Sequence, residues 1–353
     1  MSTLASPPLP SPGVNPSSVR RVLIVRPRFL GDVCLTLPTL DAVRDACPDA
    51  RVAYCVEEAS APLLEGDPRV DDLIVARPGR WLQAVAALRR FRPQVALDLF
   101  CNPRTALGVA LSGARVRVGY PGKGWRSALY THHVRPRVLS AIEFHLASVK
   151  RLGWPAPVRV PRLHIPASRR EEAAAALRAA GVPRDGVLLG LHPGARWPTR
   201  RWDPRRFAEL GRLYLEARRD GVVLVSGAAD EKALVEQVVA GLPGGRAFGV
   251  VGWPIARLVA LQSQCAAFVC GDTGPLHTAI ASGAPTLALM SRNRPATFFP
   301  YPEASGHRAH YARVECSPCH RDVCSDLRCL HRLDVQGAWA LLSSMLGPSL
   351  QAR

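Results

Sequence analysis

The sequence lacks the features that mark membrane-spanning and secreted proteins. None of its 353 residues belongs to an uninterrupted apolar run of about 18 to 20 residues, the length that a transmembrane helix needs. Residues 1–18 are rich in proline and serine but have neither a basic start nor a continuous apolar segment, so they make a poor secretion signal. We therefore expect a disordered leader over residues 1–19 and a cytoplasmic protein.

Two common nucleotide-binding signatures and a nucleic-acid-binding module are also missing. The chain has no G-x-G-x-x-G fingerprint and no Walker loop, which argues against a dehydrogenase and against a P-loop enzyme. Aromatic residues make up only 6% of the chain and are not interleaved with basic residues. A nucleic-acid-binding protein is therefore a remote alternative, and we expect no nucleic-acid partner.

Negative charge is scarce relative to positive charge. Lysine and arginine number 46 against 28 aspartates and glutamates, which gives a formal net charge of +18. Both halves of the chain share the excess, so it does not come from a basic tail. Such a charge favours anionic partners, whether nucleic acid, a membrane face or a phosphorylated substrate. An arginine-rich genome would produce the same excess without any functional reason.

Apolar runs of strand length alternate with helical segments from residue 20 onward, which predicts parallel sheets covered by helices on both faces. The predicted strands are 22–25, 52–56, 72–75, 95–100, 187–191, 222–225, 267–270 and 286–290; the predicted helices are 33–46, 81–91, 169–180, 204–217, 231–240, 254–264, 275–282 and 333–346.

A proline-rich stretch divides this pattern into two parts. Residues 155–166 contain four prolines and no helical period, which is typical of a linker. We therefore predict an N-terminal Rossmann-like domain over residues 20–158 and a C-terminal one over residues 159–353. Ligands of such doubly wound α/β domains bind beyond the carboxyl ends of the strands. We therefore expect catalytic and binding residues in the loops that follow the strands.

The loop after the first strand reads RPRFLGDV over residues 26–33. Asp32 falls where a helix begins, so it is either an N-cap residue or a general base that removes a proton from an acceptor hydroxyl. Arg26 and Arg28 would keep this carboxylate ionised or would hold an anionic acceptor.

Three loops of the second domain carry further candidates. The run HPGARWPTRRW over residues 192–202 is either a plausible anion site or an ordinary loop with solvated arginines. The run GDTGPLH over residues 271–277 places small residues and a proline at a helix start, where backbone amides bind phosphate without a metal. A carboxylate at Glu231 follows another strand and suits ribose hydroxyls, although acidic residues are common in a first helical turn.

Taken together, these loops resemble glycosyltransferase family 9, the ADP-heptose:lipopolysaccharide heptosyltransferases. The similarity includes GD and LTLP at residues 31–32 and 35–38, HPGA and RW at 192–195 and 201–202, and GDTGPLH at 271–277. It extends from about residue 22 to residue 346. The resemblance implies a GT-B fold, with two Rossmann-like domains that face a central cleft, the acceptor domain first and the nucleotide-sugar domain second.

The resemblance also implies roles for individual residues. Asp32 would be the catalytic base of an inverting transfer that requires no cofactor. Thr273, Gly274 and His277 would hold the diphosphate, and Asp272 would contact the heptose. The implied donor site consists of Arg200, Glu231 beside the ribose, Trp253 beside adenine, Asp272, Thr273, Gly274 and His277.

The chain departs from the family pattern at two places. A lysine is frequent in the family where this chain has Arg200, which keeps the charge but changes its geometry. Residues 291–295 read SRNRP, whereas the family usually has Gly-Pro-Thr after this strand. These departures concern the donor sugar more than the type of reaction.

Four cysteines cluster near the C-terminus within the segment 316–329. Their spacing suits a closed tetrahedral zinc site, but free thiols and disulfides are alternatives that the spacing leaves open. The candidate ligands are Cys316, Cys319, Cys324 and Cys329. We expect any such zinc to be structural and remote from the reaction.

The resemblance and the charge together predict transfer of heptose from ADP-L-glycero-D-manno-heptose to the inner core of lipopolysaccharide. The alternative is a family 9 enzyme that uses another nucleotide sugar for a different cell-surface glycan. A basic first domain suits an anionic acceptor and peripheral contact with the inner face of the inner membrane. The candidate acceptor-binding residues are Arg26, Arg28, Arg104, Lys123 and Arg126.

Overall fold

The computed structural model describes residues 13–121, 124–138, 140–319 and 321–347. Two six-stranded parallel sheets form the centres of two lobes. The first contains β1 (Arg21–Val25), β2 (Arg51–Glu57), β3 (Asp72–Ala76), β4 (Val95–Asp98), β5 (Val116–Gly119) and β6 (His132–His133); the second contains β7 (Val187–His192), β8 (Gly221–Gly227), β9 (Ala247–Val251), β10 (Ala267–Gly271), β11 (Thr286–Met290) and β12 (Arg308–Tyr311).

Helices cover both faces of each sheet. They are α1 (Leu30–Ala46), α2 (Trp81–Phe91), α3 (Pro103–Leu111), α4 (Ala141–Lys150), α5 (Ala167–Ala179), α6 (Pro204–Ala217), α7 (Lys232–Ala240), α8 (Ile255–Gln262), α9 (Gly274–Ser282), α10 (Pro295–Phe298), α11 (Arg328–His331) and α12 (Val335–Leu346). No helix in the described ranges combines the length and the apolar character that crossing a bilayer requires.

Both sheets have the same strand order. The first runs β3-β2-β1-β4-β5-β6 and the second, read in the matching direction, runs β9-β8-β7-β10-β11-β12. In each sheet the order reverses between two central strands, β1 and β4 or β7 and β10. Loops diverge at this switch point and leave a crevice at the carboxyl ends of the strands. The predicted pair of doubly wound Rossmann-like domains is confirmed.

Alternation along β1 shows how each sheet is buried on both sides. Val22 and Ile24 point into a core that α1 and α4 close, whereas Leu23 and Val25 point into a second core that α2 and α3 close. A strand that is buried on both faces has to be apolar throughout, which explains the continuous run in the sequence. The first core continues into the second lobe, because α1 also packs against α9.

Hydrogen bonds hold the end of the leader against the residues that precede the connection between the lobes. Residues 155–166 contain no helix or strand and lie between the two sheets, so the predicted boundary at residue 158 falls within this connection. The backbone amide of Val14 donates to Leu152, and Trp154 donates its Nε1–H to the Val14 carbonyl. Contacts at Val14 and the burial of Val19 anchor residues 13–19, which corrects the predicted disordered leader at its C-terminal end; residues 1–12 lie outside the described ranges.

Candidate active site

A cavity of about 780 Å³ lies between the two lobes and is lined by both. The first lobe contributes the start of α1 and the loop after β2, and the second lobe contributes the loops after β7, β8, β9 and β10. These are the carboxyl edges of the central strands, where ligands of doubly wound sheets bind. All of the predicted donor-binding and catalytic residues line this cavity: Asp32, Arg200, Glu231, Trp253, Asp272, Thr273, Gly274 and His277.

Asp32 is the third residue of α1, and its carboxylate is held at both oxygens. Oδ1 pairs with Arg26 Nη2 at 2.6 Å, and Oδ2 lies 3.4 Å from the backbone nitrogen of Phe29, which is the N-cap residue. The interpretation of Asp32 as the N-cap is therefore wrong. One third of its side chain remains exposed to the cavity, so a substrate hydroxyl can reach the carboxylate.

Arg26 pairs with this carboxylate and does not line the cavity. Its side chain is about nine-tenths buried, donates from Nη1 to the Leu99 carbonyl and lies over the Phe100 ring at 5.2 Å. The sequence left two roles open for Arg26, pairing with Asp32 or binding the acceptor. The geometry favours the first role.

The N-terminal ends of α1 and α9 meet across the cleft. A methyl group added at Gly31 would come within 2.6 Å of the His277 ring, and one at Gly274 would come within 3.5 Å of the Leu30 side chain. The approach at residue 31 requires glycine, because 2.6 Å is too short for a side-chain carbon, whereas 3.5 Å at residue 274 is an ordinary van der Waals distance. Because each helix start carries partial positive charge, their meeting creates an environment that stabilises anions.

Unpartnered polar atoms surround the start of α9. Thr273 Oγ1, His277 Nδ1 and Arg200 Nε are each buried and have no hydrogen-bond partner within the described part of the chain. Thr273 occupies the N-cap position, but its hydroxyl does not cap the helix. Burial lowers the pKa of His277, so its imidazole is neutral near pH 7. Buried donors normally have partners, so these atoms fit a bound anion such as a diphosphate.

Asp272 is buried and fixed by groups from two other loops. Asn293 donates to its Oδ2 at 2.5 Å, while Arg200 Nη1 donates to its carbonyl at 2.8 Å and lies 3.6 Å from its carboxylate. Burial lowers the pKa of Arg200, and the charge of Asp272 opposes that shift. Residues 291–295 depart from the family pattern, and one of them, Asn293, supplies the side-chain amide that donates to the Asp272 carboxylate.

Glu231 lies just before α7 and faces the loop after β7. Its carboxylate accepts from the Ala228 amide at 2.9 Å and lies 3.7 Å from His192 Nε2. A methyl group at Gly194 would come within 2.2 Å of the carboxylate oxygens, so glycine is required for this approach. Burial lowers the pKa of His192, while Glu231 opposes that shift.

Trp253 lies half-buried after β9 and lines the cavity, and Arg257 sits over its ring at 5.4 Å. A flat, partly exposed indole of this kind suits stacking against a planar base.

Aromatic and guanidinium groups alternate at the cavity wall between the lobes. The Phe29 ring lies 5.4 Å from the Arg28 guanidinium and 5.6 Å from that of Arg196, which also lies over Trp197 at 5.0 Å. Phe29 and Arg28 belong to the first lobe, whereas Arg196 and Trp197 belong to the second. Sequence reasoning did not assign Phe29 or Arg196, because no local pattern pairs residues so far apart.

The other acceptor-binding candidates differ in their position relative to the cavity. Arg28 lines it, but Arg104 is exposed on α3, and Arg126 is half-buried with its Nη1 donating to the Cys101 carbonyl. Neither Arg104 nor Arg126 is part of the cavity lining. Lys123 falls outside the described ranges. Acceptor contact by these three residues stays a prediction.

The cysteine cluster does not form an assembled metal site within the described ranges. Cys316, Cys319, Cys324 and Cys329 are free thiols, and no group of three His, Cys, Asp or Glu side chains there is placed to hold a metal ion. Burial, with Cys319 and Cys316 nearby, raises the pKa of Cys329. A structural zinc ion therefore stays a prediction, and no step of the reaction depends on it.

The chain is similar in sequence to known glycosyltransferases. The model of glycosyltransferase family 9 (heptosyltransferase) matches residues 84–329. Lipopolysaccharide heptosyltransferase 3 of Escherichia coli is 26% identical over 281 residues, covering 74% of this chain and 81% of that protein. Lipopolysaccharide heptosyltransferase 1 of Pseudomonas aeruginosa is 27% identical over 361 residues, covering 92% of this chain and 98% of that protein.

The fold is likewise shared with a solved structure. The ADP-heptose lipopolysaccharide heptosyltransferase II of E. coli superposes with a TM-score of 0.78 at 20% identity, covering 94% of this chain and all of that one. Similarity at this level of identity concerns the fold, and it confirms the GT-B arrangement of two lobes.

Proposed function

Because this chain belongs to glycosyltransferase family 9, the heptosyltransferase family, we propose that it transfers heptose from ADP-L-glycero-D-manno-heptose to the inner core of lipopolysaccharide. The relatives at 26% and 27% identity are named for lipopolysaccharide heptosyl transfer, which supports this choice of donor and acceptor. The reaction inverts the configuration at the anomeric carbon.

One observation carries this proposal: a carboxylate of the first lobe and an anion-binding helix start of the second open onto the same cavity. Asp32 lies on one side and residues 272–277 lie on the other. The fields of Asp32 and Asp272 both act on His277, which places all three in one electrostatic environment. A base and a leaving-group site that line one cavity from its two sides suit direct displacement.

The chemistry follows from this placement. Asp32 takes the proton of an acceptor hydroxyl, whose oxygen attacks the anomeric carbon of the donor. The bond from that carbon to the diphosphate breaks, and ADP leaves with the electron pair. Negative charge grows on the diphosphate as it leaves, so the start of α9, the Thr273 hydroxyl and Arg200 stabilise the transition state more than the ground state.

The other cavity residues position the donor. Neutral His277 donates one N–H to a phosphate oxygen, and Asp272, fixed by Asn293, accepts from hydroxyls of the heptose. Glu231 accepts from the ribose hydroxyls, and Trp253 stacks against adenine. Arg28 binds an anionic group of the acceptor at the side of the cavity that the first lobe supplies.

A different nucleotide sugar is the second candidate, because Arg200 and residues 291–293 depart from the family pattern beside the site proposed for the sugar. A panel of ADP-, GDP- and UDP-sugars, with release of the nucleoside diphosphate as the readout, separates the two donors. Fastest release from ADP-heptose supports the first proposal.

The test of the base compares Asp32→Asn with the unaltered enzyme on ADP-heptose and a defined inner-core acceptor. We expect kcat to fall by roughly 10²- to 10⁴-fold, because the amide cannot take the proton. Donor affinity, measured by calorimetry with ADP, should stay within about twofold.

A matched control is Asp45→Asn, which removes an exposed carboxylate near the far end of the same helix. It should turn over at the normal rate. Full activity of Asp32→Asn would exclude Asp32 as the base and would leave the family assignment intact.

A further inference from the structure

The outer layer of the first lobe is almost free of negative charge. Residues 73–142 contain twelve lysines and arginines but one acidic residue, Asp98. Asp98 is fully buried, where it accepts from the Tyr130 hydroxyl at 2.7 Å and from the amides of Phe100 and Cys101. Within the described ranges, Arg77 is the arginine of this segment that pairs with a carboxylate, that of Glu58.

Large apolar side chains are exposed in the same layer. Leu82 of α2 is 80% exposed, and Trp125, in the short helical turn Gly124–Leu129, is 59% exposed. Leu107 and Leu111 are exposed on α3 and follow Arg104 by three and seven residues. That spacing places all three on one stripe of the helix.

These elements form one continuous surface. Gly108 of α3 lies against the Trp81 ring of α2, and the turn that contains Trp125 packs on α3. We call the exposed side of these elements the basic apolar face, defined by Leu82, Leu107, Leu111 and Trp125 together with Arg89, Arg90 and Arg104.

The second lobe does not cover the basic apolar face. Helices α2 and α3 pack on the side of the first sheet that Leu23 and Val25 occupy. Helix α1, which contacts α9 of the second lobe, packs on the opposite side of that sheet. The face therefore points away from the lobe–lobe contact.

We propose that the basic apolar face docks on an anionic lipid bilayer. Exposed leucines and a tryptophan on the same elements as exposed arginines suit such a surface, since the apolar groups enter the acyl boundary and the guanidinium groups meet the phosphates. Nucleic acid would use the arginines but not the leucines. A second copy docking through the same face would oppose like charges.

The location of this face suits a lipid-linked acceptor, a point that rests on the proposed function. Strands β1 and β4 are parallel neighbours, so α1 and α3 both start at the same edge of the sheet. Arg26 bridges the two loops that lead into α1 and α3, since it pairs with Asp32 and donates to the Leu99 carbonyl. A sugar chain that rises from the bilayer beside the start of α3 would therefore approach the edge of the sheet at which Asp32 lies.

The test measures cosedimentation with vesicles of phosphatidylglycerol and phosphatidylethanolamine, and with vesicles of phosphatidylcholine alone. Because neither donor nor acceptor is present, the result does not depend on the proposed reaction. The purified protein should bind the anionic vesicles, and raising the salt from about 0.1 M to about 1 M should release most of it.

Two double variants separate the apolar and the charged contributions. Leu107→Gln with Leu111→Gln should weaken binding by about tenfold at every salt concentration, because two side chains no longer enter the acyl boundary. Arg89→Gln with Arg90→Gln should weaken binding at low salt and reduce its salt dependence.

Matched controls come from exposed residues elsewhere. Val158→Gln with Val323→Gln, and Arg205→Gln with Arg212→Gln on α6, should bind as the unaltered protein does. Thermal unfolding shows that each variant is folded. Equal vesicle binding by the Leu107/Leu111 variant and its control would overturn the proposal, as would tighter binding to single-stranded DNA than to anionic vesicles.

Discussion

Arg26 shows how one buried guanidinium positions a reactive carboxylate. Its two Nη atoms reach Asp32 and the Leu99 carbonyl at once, which ties the base to the loop after a neighbouring strand. The planar fork of arginine permits this, whereas lysine offers a single nitrogen. Sequence reasoning identified the residue but could not decide between its two roles, since both place a positive charge in the same loop.

Replacing Arg26 tests this positioning role. We expect Arg26→Met to lower kcat by about 10²-fold and Arg26→Lys by about tenfold, because lysine keeps the charge but cannot make both contacts. The KM for ADP-heptose should stay nearly constant in both, since Arg26 does not line the donor cavity.

Steady-state kinetics with saturating acceptor measures both parameters, and thermal unfolding checks the fold. A KM that rises while kcat stays constant would show that Arg26 binds a substrate and does not orient the base.

At the scale of elements, the meeting of α1 and α9 unites the two lobes into one site. Glycine at residue 31 lets the two helix starts approach, and the packed helices continue one apolar core from lobe to lobe. The sequence placed both loops after strands, and the tertiary structure brought them together.

A side chain at Gly31 should separate these helices. In Gly31→Ala the added methyl group would lie 2.6 Å from the His277 ring, so α1 or the imidazole has to move. We expect the free energy of unfolding to fall by roughly 1 to 3 kcal/mol and turnover to fall by more than tenfold.

Chemical denaturation and initial rates measure these effects. Gly244→Ala is the matched control, because a methyl group there would meet no atom within 4 Å. If Gly31→Ala were as active and as stable as Gly244→Ala, the contact between the helix starts would be unimportant for the site.

Some helix and strand boundaries could be predicted from the local sequence pattern alone. Helices α2 and α6 and strand β11 begin and end at the predicted residues, because a regular apolar period fills each of them. Helix α1 begins at Leu30 rather than at residue 33, since the glycine and aspartate at its start were interpreted as loop. Helices α3, α4, α10 and α11 and strands β5, β6, β9 and β12 lie outside the predicted elements; most of them are short, and a few residues carry little periodic signal.

At the scale of the whole molecule, burial of histidines makes folding sensitive to acid. Burial lowers the pKa of His145, His192, His277 and His307, the last to about 4. The unfolded chain takes up protons on these side chains near pH 6.5, and the folded chain does so only at lower pH. The unfolded state therefore binds more protons in this range, and stability falls as the pH falls from about 6.5 toward 4.

His307→Gln should reduce this acid sensitivity. Each buried histidine contributes a slope of at most about 1.4 kcal/mol per pH unit, and the variant removes one such contribution. Thermal unfolding between about pH 7.5 and pH 4 measures the slope, with exposed His133→Gln as the control. A slope that is identical in the two variants would show that His307 is not buried in the folded protein.

The sequence by itself determined the two doubly wound domains, the loops that follow their strands and the family. These are local properties, because the period of apolar residues and the order of small, acidic and basic residues in one loop need no distant partner. The tertiary structure decided which of these loops share a cavity, that Arg26 is held by Asp32, and that Asn293 fixes Asp272. Which loops share the cavity depends on how the helices of the two lobes pack, and residues of the two lobes leave no common pattern in the sequence. The contacts of Arg26 and Asn293 depend on the direction of each side chain, which the order of residues does not show.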